Sequence, residues 1–502
     1  MKAYLMHPAK NFDADQDLPG HEATLRKDLE LDVLLKIMAD DDDFVLDIAR
    51  RVLLLCFTND IETIRYRHDV LWDSLKHPDV VRQMYTLTVE AIEGRKRCYW
   101  SFSSDQPSSI LHGSVEVLQL FVSVLQKMRV VADACIGQFG SRGLGNIFAM
   151  LRAEFSDDYL SGVQAHLKEL KFRHGVLLSA QLGSGNEGTH FMLRRPKDRS
   201  HGLLKRVFGS PSPSYTFRLH ERDMAGAQAV GQMRNRGINR VANALAQSMD
   251  HIMAFFQMLR TELAFYVGCL NLESRLEALG RPVTLPDVSD AGIGPRHFSD
   301  LYDPCLALSL GRDIVGNTLN TDKKHAVIIT GANQGGKSSF LRSVGIAQLM
   351  MQSGMFVAAG TYAGALCNAL YTHYKREEDA TMKHGKLDEE LGRLSDIAKE
   401  IAPDAMVLFN ESFASTNEME GAEIARQITT ALLDRRIVVY FVTHLYTFAH
   451  GLMECGREDA LFLRAERLDD GTRTFRLVEG APLETSYGHD LYQEVFGKRA
   501  GT

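Results

Sequence analysis

The feature that most constrains the fold of this chain is a glycine-rich segment in its C-terminal half. Residues 331–338 (GANQGGKS) match the pattern G-x-x-x-x-G-K-S. The apolar residues 326–330 before this segment favour a strand, and a helix is predicted to begin near Ser339. A strand, a glycine turn and a helix in this order form a loop that binds phosphates. The segment predicts a nucleotide-binding α/β domain, and a chance glycine-rich turn is the alternative.

ATP and Mg²⁺ are the ligands that this segment predicts. Lys337 is placed to contact the β- and γ-phosphates, and the Ser338 hydroxyl is placed to bind Mg²⁺. Glycines are required because backbone N–H groups must turn inward around the phosphates. The other predicted ATP-binding residues belong to the loop and to the first helical turn: Gly331, Ala332, Asn333, Gln334, Gly335, Gly336 and Ser339.

A second apolar segment runs directly into an acidic residue. Residues 406–409 (MVLF) favour a strand and are followed by Asn410 and Glu411. In nucleotide hydrolases of this class the residue at the strand end helps to hold Mg²⁺, and the next glutamate activates the attacking water. Glu411 is therefore the predicted catalytic base. Asn410 keeps a carbonyl acceptor for the metal but lacks the charge of the usual aspartate, which predicts weaker Mg²⁺ binding and slow turnover.

A third apolar segment, residues 438–443 (VVYFVT), ends at His444. A histidine at the end of a sheet strand, beyond both nucleotide motifs in the sequence, is placed to sense the γ-phosphate. A purely structural histidine is the alternative, and the position in the sequence favours the sensor.

The spacing of apolar residues predicts two kinds of architecture. Residues 1–25 are an irregular lead-in, and residues 26–285 form a mainly helical domain with a β-containing insertion near 172–220. In residues 290–502 strands and helices alternate, which is typical of a mostly parallel sheet, and residues 461–478 favour a hairpin at its edge. The predicted fold class is α plus α/β, with a P-loop ATPase domain after the helical one.

Several elements of the helical region are specific enough to be checked. Strands are predicted at residues 190–193 and 215–219, and one helix is predicted from near Met224 to about Leu279. The spacing of five apolar residues predicts one stripe on one helix face: Val115, Leu118, Val122, Leu125 and Met128. A second stripe, on the helix that runs to about Leu279, is predicted to be core rather than a cofactor or base-stacking surface: Ile252, Phe255, Phe256, Leu259, Leu263 and Tyr266.

Composition excludes some classes of protein and leaves DNA binding open. The formal net charge of −7 gives no support for DNA binding, although a local basic stripe can still neutralise phosphates. No apolar run approaches the ~20 residues of a membrane span, so no membrane partner is expected. Seven scattered cysteines without a CxxC pair indicate neither a zinc site nor a disulfide framework, which favours a cytoplasmic location.

Together, these motifs resemble the MutS DNA mismatch repair family. Residues 329–339 are similar to the MutS phosphate loop, residues 410–425 to the segment that begins Asp-Glu, and residues 442–444 to the strand and histidine that close the site. Residues 314–317 (IVGN) resemble the stretch that packs on adenine, where Ile314 replaces a frequent aromatic residue. The resemblance covers about residues 300–490 and implies an ABC-type ATPase domain. The preceding helical region resembles the MutS core and lever domains in character and position only.

The chain also departs from the MutS pattern. The chain is expected to lack a Phe-x-Glu element for inserting at a mismatch, the mismatch-binding and connector domains, and a C-terminal helix-turn-helix after residues 486–488. The signature loop that completes the partner subunit's site is expected near residues 381–387 and lacks its serine, with Lys386 or His384 as alternative contacts. A short, divergent MutS-like ATPase without mismatch recognition is expected.

The resemblance implies a homodimeric DNA clamp switched by ATP binding and hydrolysis, acting in DNA repair or recombination. Backbone contacts to DNA are predicted in one basic segment, for which a solvated loop is the alternative: Arg194, Arg195, Lys197, Arg199, Lys205 and Arg206. A nucleotide-gated protein scaffold with little hydrolysis is the second functional hypothesis, and an ABC transporter subunit is the weakest. The sequence does not identify the preferred DNA structure or a MutL-like partner.

Overall fold

The computed structural model describes residues 2–99, 106–173, 175–195, 215–292, 294–376, 385–468 and 472–483. Contacts divide the chain into two compact units. Unit 1 comprises Met1–Ala3, Arg82–Phe139 and Leu144–Arg260, and unit 2 comprises Tyr4–Val81, Gly140–Gly143 and Thr261–Thr502. The predicted domain boundaries follow composition rather than contacts and stay predictions.

Helices and strands follow one another along the chain in this order. The first part contains α1 (Glu22–Asp28), α2 (Leu31–Ala39), α3 (Asp43–Leu54), α4 (Ile61–Lys76), α5 (Pro78–Tyr99), α6 (Pro107–Ala134), α7 (Arg142–Glu154), α8 (Asp157–Glu169), β1 (Leu177–Leu182), β2 (Gly188–Arg194) and α9 (Met224–Ala278). The second part contains β3 (Asp287–Ser289), β4 (His297–Leu301), α10 (Pro304–Leu310), β5 (Asn317–Asn320), β6 (Ala326–Thr330), α11 (Lys337–Gln352), β7 (Thr361–Ala365), β8 (Leu370–Tyr374), α12 (Lys386–Glu400), β9 (Met406–Asn410), α13 (Glu418–Asp434), β10 (Val438–Val442), α14 (Tyr446–Glu454), β11 (Ala460–Arg467) and β12 (Arg473–Glu479).

The described residues of unit 1 form helices and one antiparallel hairpin, β1–β2. Burial of one face explains α6, where the predicted stripe is buried: Val115, Leu118, Val122, Leu125 and Met128. The stripe predicted to be core on α9 is confirmed: Phe255, Phe256, Leu259, Leu263 and Tyr266 are buried, and Ile252 is partly buried. The hairpin packs on α9 at Gly237, where an added Cβ would lie 2.4 Å from Leu178 Cδ2. The glycine therefore lets the hairpin approach the helix closely.

Helix α6 is also long and apolar enough to cross a membrane, by length and composition. Half of its most apolar window is buried inside the protein. A core helix of a folded domain has these same properties, so the expectation of no membrane partner stays a prediction.

Residues 215–219 do not form the predicted strand, and that prediction is wrong. Tyr215 and Phe217 are 92% and 78% exposed, and the segment pairs with no strand among the residues described. Alternating apolar residues form a strand only where a neighbouring backbone supplies hydrogen bonds. The neighbouring predictions at residues 190–193 and 224–279 are confirmed by β2 and α9.

The main sheet of unit 2 has the order β12-β11-β6-β10-β9-β8. Neighbouring strands from β11 to β8 pair in parallel, and β12 adds the predicted antiparallel edge. Continuous apolar sequence fits strands buried on both faces, and every residue of β6 and of β10 is buried. Because parallel strands end at the same edge, the residues that follow β6, β9 and β10 meet there. A second sheet, β3-β7-β4-β5, was not predicted, since its strands are only three to five residues long.

Candidate nucleotide-binding site

The glycine-rich segment connects β6 to α11, as predicted. Gly331 and Gly336 have φ angles of +110° and +86°, a backbone conformation that favours glycine. Close packing restricts the same positions: an added Cβ would lie 2.9 Å from Ala465 N at Gly331 and 2.9 Å from the Phe475 carbonyl oxygen at Gly336. The strands β11 and β12 thus leave the loop no space for side chains at these two positions.

The other residues of the loop fall into buried and exposed groups. Ala332 and Gly335 are buried, and a Cβ at Gly335 would lie 2.6 Å from Ala465 Cβ. Asn333 and Gln334 are exposed, and Gln334 Oε1 accepts a hydrogen bond from Arg473 Nη1 at 2.7 Å. The β12 strand therefore holds the loop at its exposed side as well.

Lys337 begins α11 and is almost completely buried. Its Nζ donates to the carbonyl oxygens of Gly331 at 2.9 Å and Ala332 at 2.8 Å. Burial lowers its pKa from 10.5 to about 8, partly opposed by the charge of Glu411. An ammonium group enclosed by its own loop is ready to exchange these carbonyls for phosphate oxygens.

Ser338 and Asn410 bring two oxygen atoms together at the edge of the sheet. The Ser338 hydroxyl donates to Asn410 Oδ1 at 3.1 Å, and Asn410 is the last residue of β9. Oxygen donors are the ligands that Mg²⁺ prefers, and the ion commonly binds one or two protein groups together with substrate phosphates. These two residues fit that arrangement, although neither brings a negative charge.

Glu411 and His444 are brought together because β9 and β10 are neighbours. His444 Nε2 donates to Glu411 Oε1 at 3.1 Å, and the Glu411 N–H donates to the carbonyl of Val442 at 2.9 Å. The hydrogen bond from His444 holds the pKa of Glu411 below its ordinary value, against the opposing effect of burial. Glu411 is therefore a carboxylate at neutral pH, as a base that accepts a proton from water must be. His444 was predicted to sense the γ-phosphate, which stays a prediction; the hydrogen bond that the structure shows is with Glu411.

Ile314 lines a cavity of about 460 Å³ beside the glycine loop. Ser339 and Gln334 line the same cavity, together with Phe340 and Phe475. Sequence reasoning missed Phe475, because it predicted the hairpin of β11 and β12 but not the pairing of β11 with β6, which brings β12 beside the loop. An aromatic residue in the predicted hairpin was the available signal. An apolar wall of Ile314 and Phe475 suits a flat heteroaromatic ring.

The residues predicted to contact DNA lie in unit 1, whereas the residues above lie in unit 2. Arg194 ends β2 and donates to Ser179 Oγ at 2.9 Å, and Arg195 pairs with Glu169 at 2.6 Å. Lys197, Arg199, Lys205 and Arg206 lie outside the described residues, as does His384 of the expected signature loop.

A second group of basic residues, five exposed arginines, was missed by sequence reasoning. Residues 215–240 contain five arginines against two acidic residues, in a chain with a net charge of −7. Each of the five is exposed and makes no ion pair with a described residue: Arg218, Arg222, Arg234, Arg236 and Arg240. Other residues separate these arginines in the sequence, so they do not appear as a continuous basic run. In helix α9, Arg236 and Arg240 lie on one face.

Comparison with known proteins supports the resemblance over both parts of the chain. The family model for the MutS2 N-terminal domain matches residues 59–279, and the one for MutS domain V matches residues 327–495. The first match extends the resemblance into the helical region, where sequence reasoning had relied on character and position alone.

Individual relatives are similar over part of their length. Endonuclease MutS2 of Thermus thermophilus is 32% identical over 181 residues, 36% of this chain and 23% of that protein. DNA mismatch repair protein MutS of the same species is 28% identical over 165 residues, 33% of this chain and 20% of the relative. DNA mismatch repair protein MutS of Leptospira interrogans is 23% identical over 267 residues, 52% and 30% of the two chains. The matched part thus spans less than a third of these relatives. Because the models for the MutS2 N-terminal domain and for MutS domain V both match, one after the other along the sequence, the chain is a member of the MutS-like family.

Proposed function

We propose that this protein is an ATPase of the MutS type that couples ATP binding and hydrolysis to DNA binding. One observation carries the proposal: Lys337, Ser338, Asn410, Glu411 and His444 meet at the carboxyl edge of one parallel sheet. An ammonium group, two oxygen ligands and a carboxylate held by a histidine are the groups that phosphoryl transfer to water requires.

Each residue has a definite part in the proposed reaction. Lys337 would exchange the carbonyls of Gly331 and Ala332 for the β- and γ-phosphates. Ser338 and Asn410 would hold Mg²⁺, which would supply positive charge to neutralise the phosphates. Glu411 accepts a proton from the attacking water. His444 orients the Glu411 carboxylate through their hydrogen bond, and its part as a sensor of the γ-phosphate stays a prediction.

Turnover is expected to be slow because Asn410 is neutral. Replacing Asn410 with Asp adds a negative charge beside the Ser338 hydroxyl and is expected to lower the Mg²⁺ concentration needed for half-maximal hydrolysis by at least about fivefold. If the wild type hydrolyses ATP at a negligible rate and Asn410→Asp hydrolyses it much faster, the result would favour the scaffold hypothesis, in which the natural protein binds ATP and barely hydrolyses it. Of the two hypotheses, the DNA-coupled ATPase and the scaffold, membership of the MutS family favours the ATPase.

DNA binding is proposed through backbone phosphates. The exposed arginines at residues 215–240 and Arg194 carry positive charge on unit 1, and arginines that contact phosphates confer affinity without reading sequence. Relatives carry the names endonuclease MutS2 and DNA mismatch repair protein MutS. A cytoplasmic homodimer acting in DNA repair or recombination is the cellular form that we propose.

The test is Mg²⁺-dependent ATP hydrolysis by the wild type and by Glu411→Ala. We expect Glu411→Ala to reduce turnover at least about 100-fold while nucleotide affinity stays within about threefold, since the base acts on water rather than on ATP. Glu458→Ala removes an exposed carboxylate of the same unit and serves as the control. Equal turnover in wild type and Glu411→Ala would contradict the proposed chemistry.

A further inference from the structure

Helix α12 holds the loop that follows β9 through one buried carboxylate. Among the described residues of α12, Glu390 is the fully buried one, with 4% of its surface exposed. Its Oε2 accepts the Phe413 N–H at 2.8 Å, and its Oε1 accepts the Ser415 hydroxyl at 3.0 Å. A buried carboxylate is costly unless its oxygens accept hydrogen bonds, so both partners in the loop are needed to stabilise it.

The loop that Glu390 holds has an unfavourable backbone. Glu411 and Phe413 have φ angles of +55° and +64°, in the left-handed region that costs a residue with a side chain about 1–2 kcal/mol. Such a conformation persists only where the surroundings fix it. Phe413 is fixed on both sides, because Glu390 accepts its N–H and Gly421 of α13 lies against its carbonyl, where an added Cβ would be 2.4 Å from the oxygen.

His373 of β8 ties α12 to the loop a second time. Its Nε2 lies 3.0 Å from the backbone carbonyl oxygen of Glu390, and its Nδ1 lies 2.7 Å from the Ser412 hydroxyl. Burial lowers the pKa of His373 to about 4, so the ring is neutral at physiological pH and has one N–H. A carbonyl only accepts, so Nε2 donates to Glu390 and Nδ1 faces the hydroxyl of the residue after the predicted base.

We propose that Glu390 is a positioning residue for ATP hydrolysis. By holding Phe413, it fixes the backbone two residues beyond Glu411 and keeps the Glu411 carboxylate in contact with His444. Displacement of α12 would reach the base through the Glu390 side chain and through His373, so that the position of the helix controls turnover. The inference rests on the proposed function, because it assigns a part in the same reaction.

The experiment compares Glu390→Ala with Glu390→Gln in the full chain. Glu390→Ala leaves Phe413 N–H and Ser415 without their acceptor, and we expect kcat to fall about 10- to 100-fold while ATP affinity stays within about threefold. Glu390→Gln keeps a carbonyl for Phe413 N–H and offers an N–H to Ser415 Oγ, so its kcat is expected within about threefold of wild type. Glu389→Ala makes the same change in charge one residue away on α12 and is the matched control.

A second measurement follows the loop itself. Hydrogen exchange of the amides in residues 411–416 is expected to be at least about tenfold faster in Glu390→Ala than in wild type and unchanged in Glu389→Ala. Unchanged exchange, or equal losses of kcat and ATP affinity, would overturn the inference. If Glu390→Ala does not fold, Ser415→Ala removes one of the two donors and is expected to lower kcat about threefold at unchanged ATP affinity; wild-type kcat there would overturn it.

These readouts separate the inference from the proposed function. Absence of hydrolysis by the wild type would contradict the ATPase proposal, whereas faster exchange in Glu390→Ala would still support the part of Glu390 in fixing the loop.

Discussion

At the residue scale, Lys337 is expected to make the proposed ATP binding sensitive to pH. Burial lowers its pKa to about 8, so the side chain loses its positive charge as the pH rises through that value. Phosphates bind the protonated lysine, and we therefore expect the ATP dissociation constant to rise above pH 8, by up to about tenfold per pH unit. A fluorescent ATP analogue titrated between pH 7.5 and 9.5 measures this, in a range where phosphates stay ionised.

The control for this pH dependence is Lys337→Met. It lacks the titrating group, so its affinity should be weaker and independent of pH over the same range. A wild-type affinity that is constant up to pH 9.5 would contradict the predicted loss of the Lys337 charge in this range.

Single residues with a sequence motif could be predicted, whereas residues defined by packing could not. The spacing of the glycine loop and the ends of two apolar strands identified Lys337, Ser338, Asn410, Glu411 and His444, and the structure brings them together. Glu390 and Phe475 have no such motif. Their positions depend on which side of the sheet α12 covers and on the pairing of β11 with β6, which places the predicted hairpin beside the glycine loop.

At the element scale, close packing of α13 against the loop after β9 gives a test with two glycines. Gly421→Ala would place a Cβ 2.4 Å from the Phe413 carbonyl oxygen, so the free energy of unfolding is expected to fall by about 1–3 kcal/mol. Hydrolysis should fall further than the loss of folded protein explains, because the same contact confines the loop of Glu411. Thermal unfolding and turnover of the purified variant measure both effects.

Gly451→Ala in α14 is the matched control, since no atom lies within 4 Å of its Cβ position. Alanine is the better helix former, so this variant should be as stable as wild type or up to about 1 kcal/mol more stable. Equal stability of the Gly421→Ala and Gly451→Ala proteins would mean that α13 can move away from the loop at no cost.

Elements with long, regular patterns were predicted well. The continuous apolar sequences of β6, β9 and β10 and the long helix α9 lie where the sequence placed them. Short strands of the second sheet were missed, and residues 215–219 were predicted as a strand without a partner. Strand formation depends on a neighbouring backbone, which local sequence does not reveal.

At the scale of the whole molecule, charge is divided between the two units. The chain has a net charge of −7, yet residues 215–240 of unit 1 carry three more positive than negative charges. The nucleotide site belongs to unit 2. The proposed function requires that the nucleotide bound in one unit changes the affinity for DNA, and this coupling is a free energy that can be measured.

The most direct test of this account is the DNA affinity of Glu411→Ala with ATP, with ADP and without nucleotide, at low salt. Because this variant is expected to bind ATP without hydrolysing it, each nucleotide state is stable during the titration. We expect dissociation constants for duplex or branched DNA that differ at least about fivefold between the ATP and ADP states, with no such difference in Lys337→Met. Identical affinities in all three states, or no DNA binding at low salt, would contradict an ATP-switched DNA-binding protein.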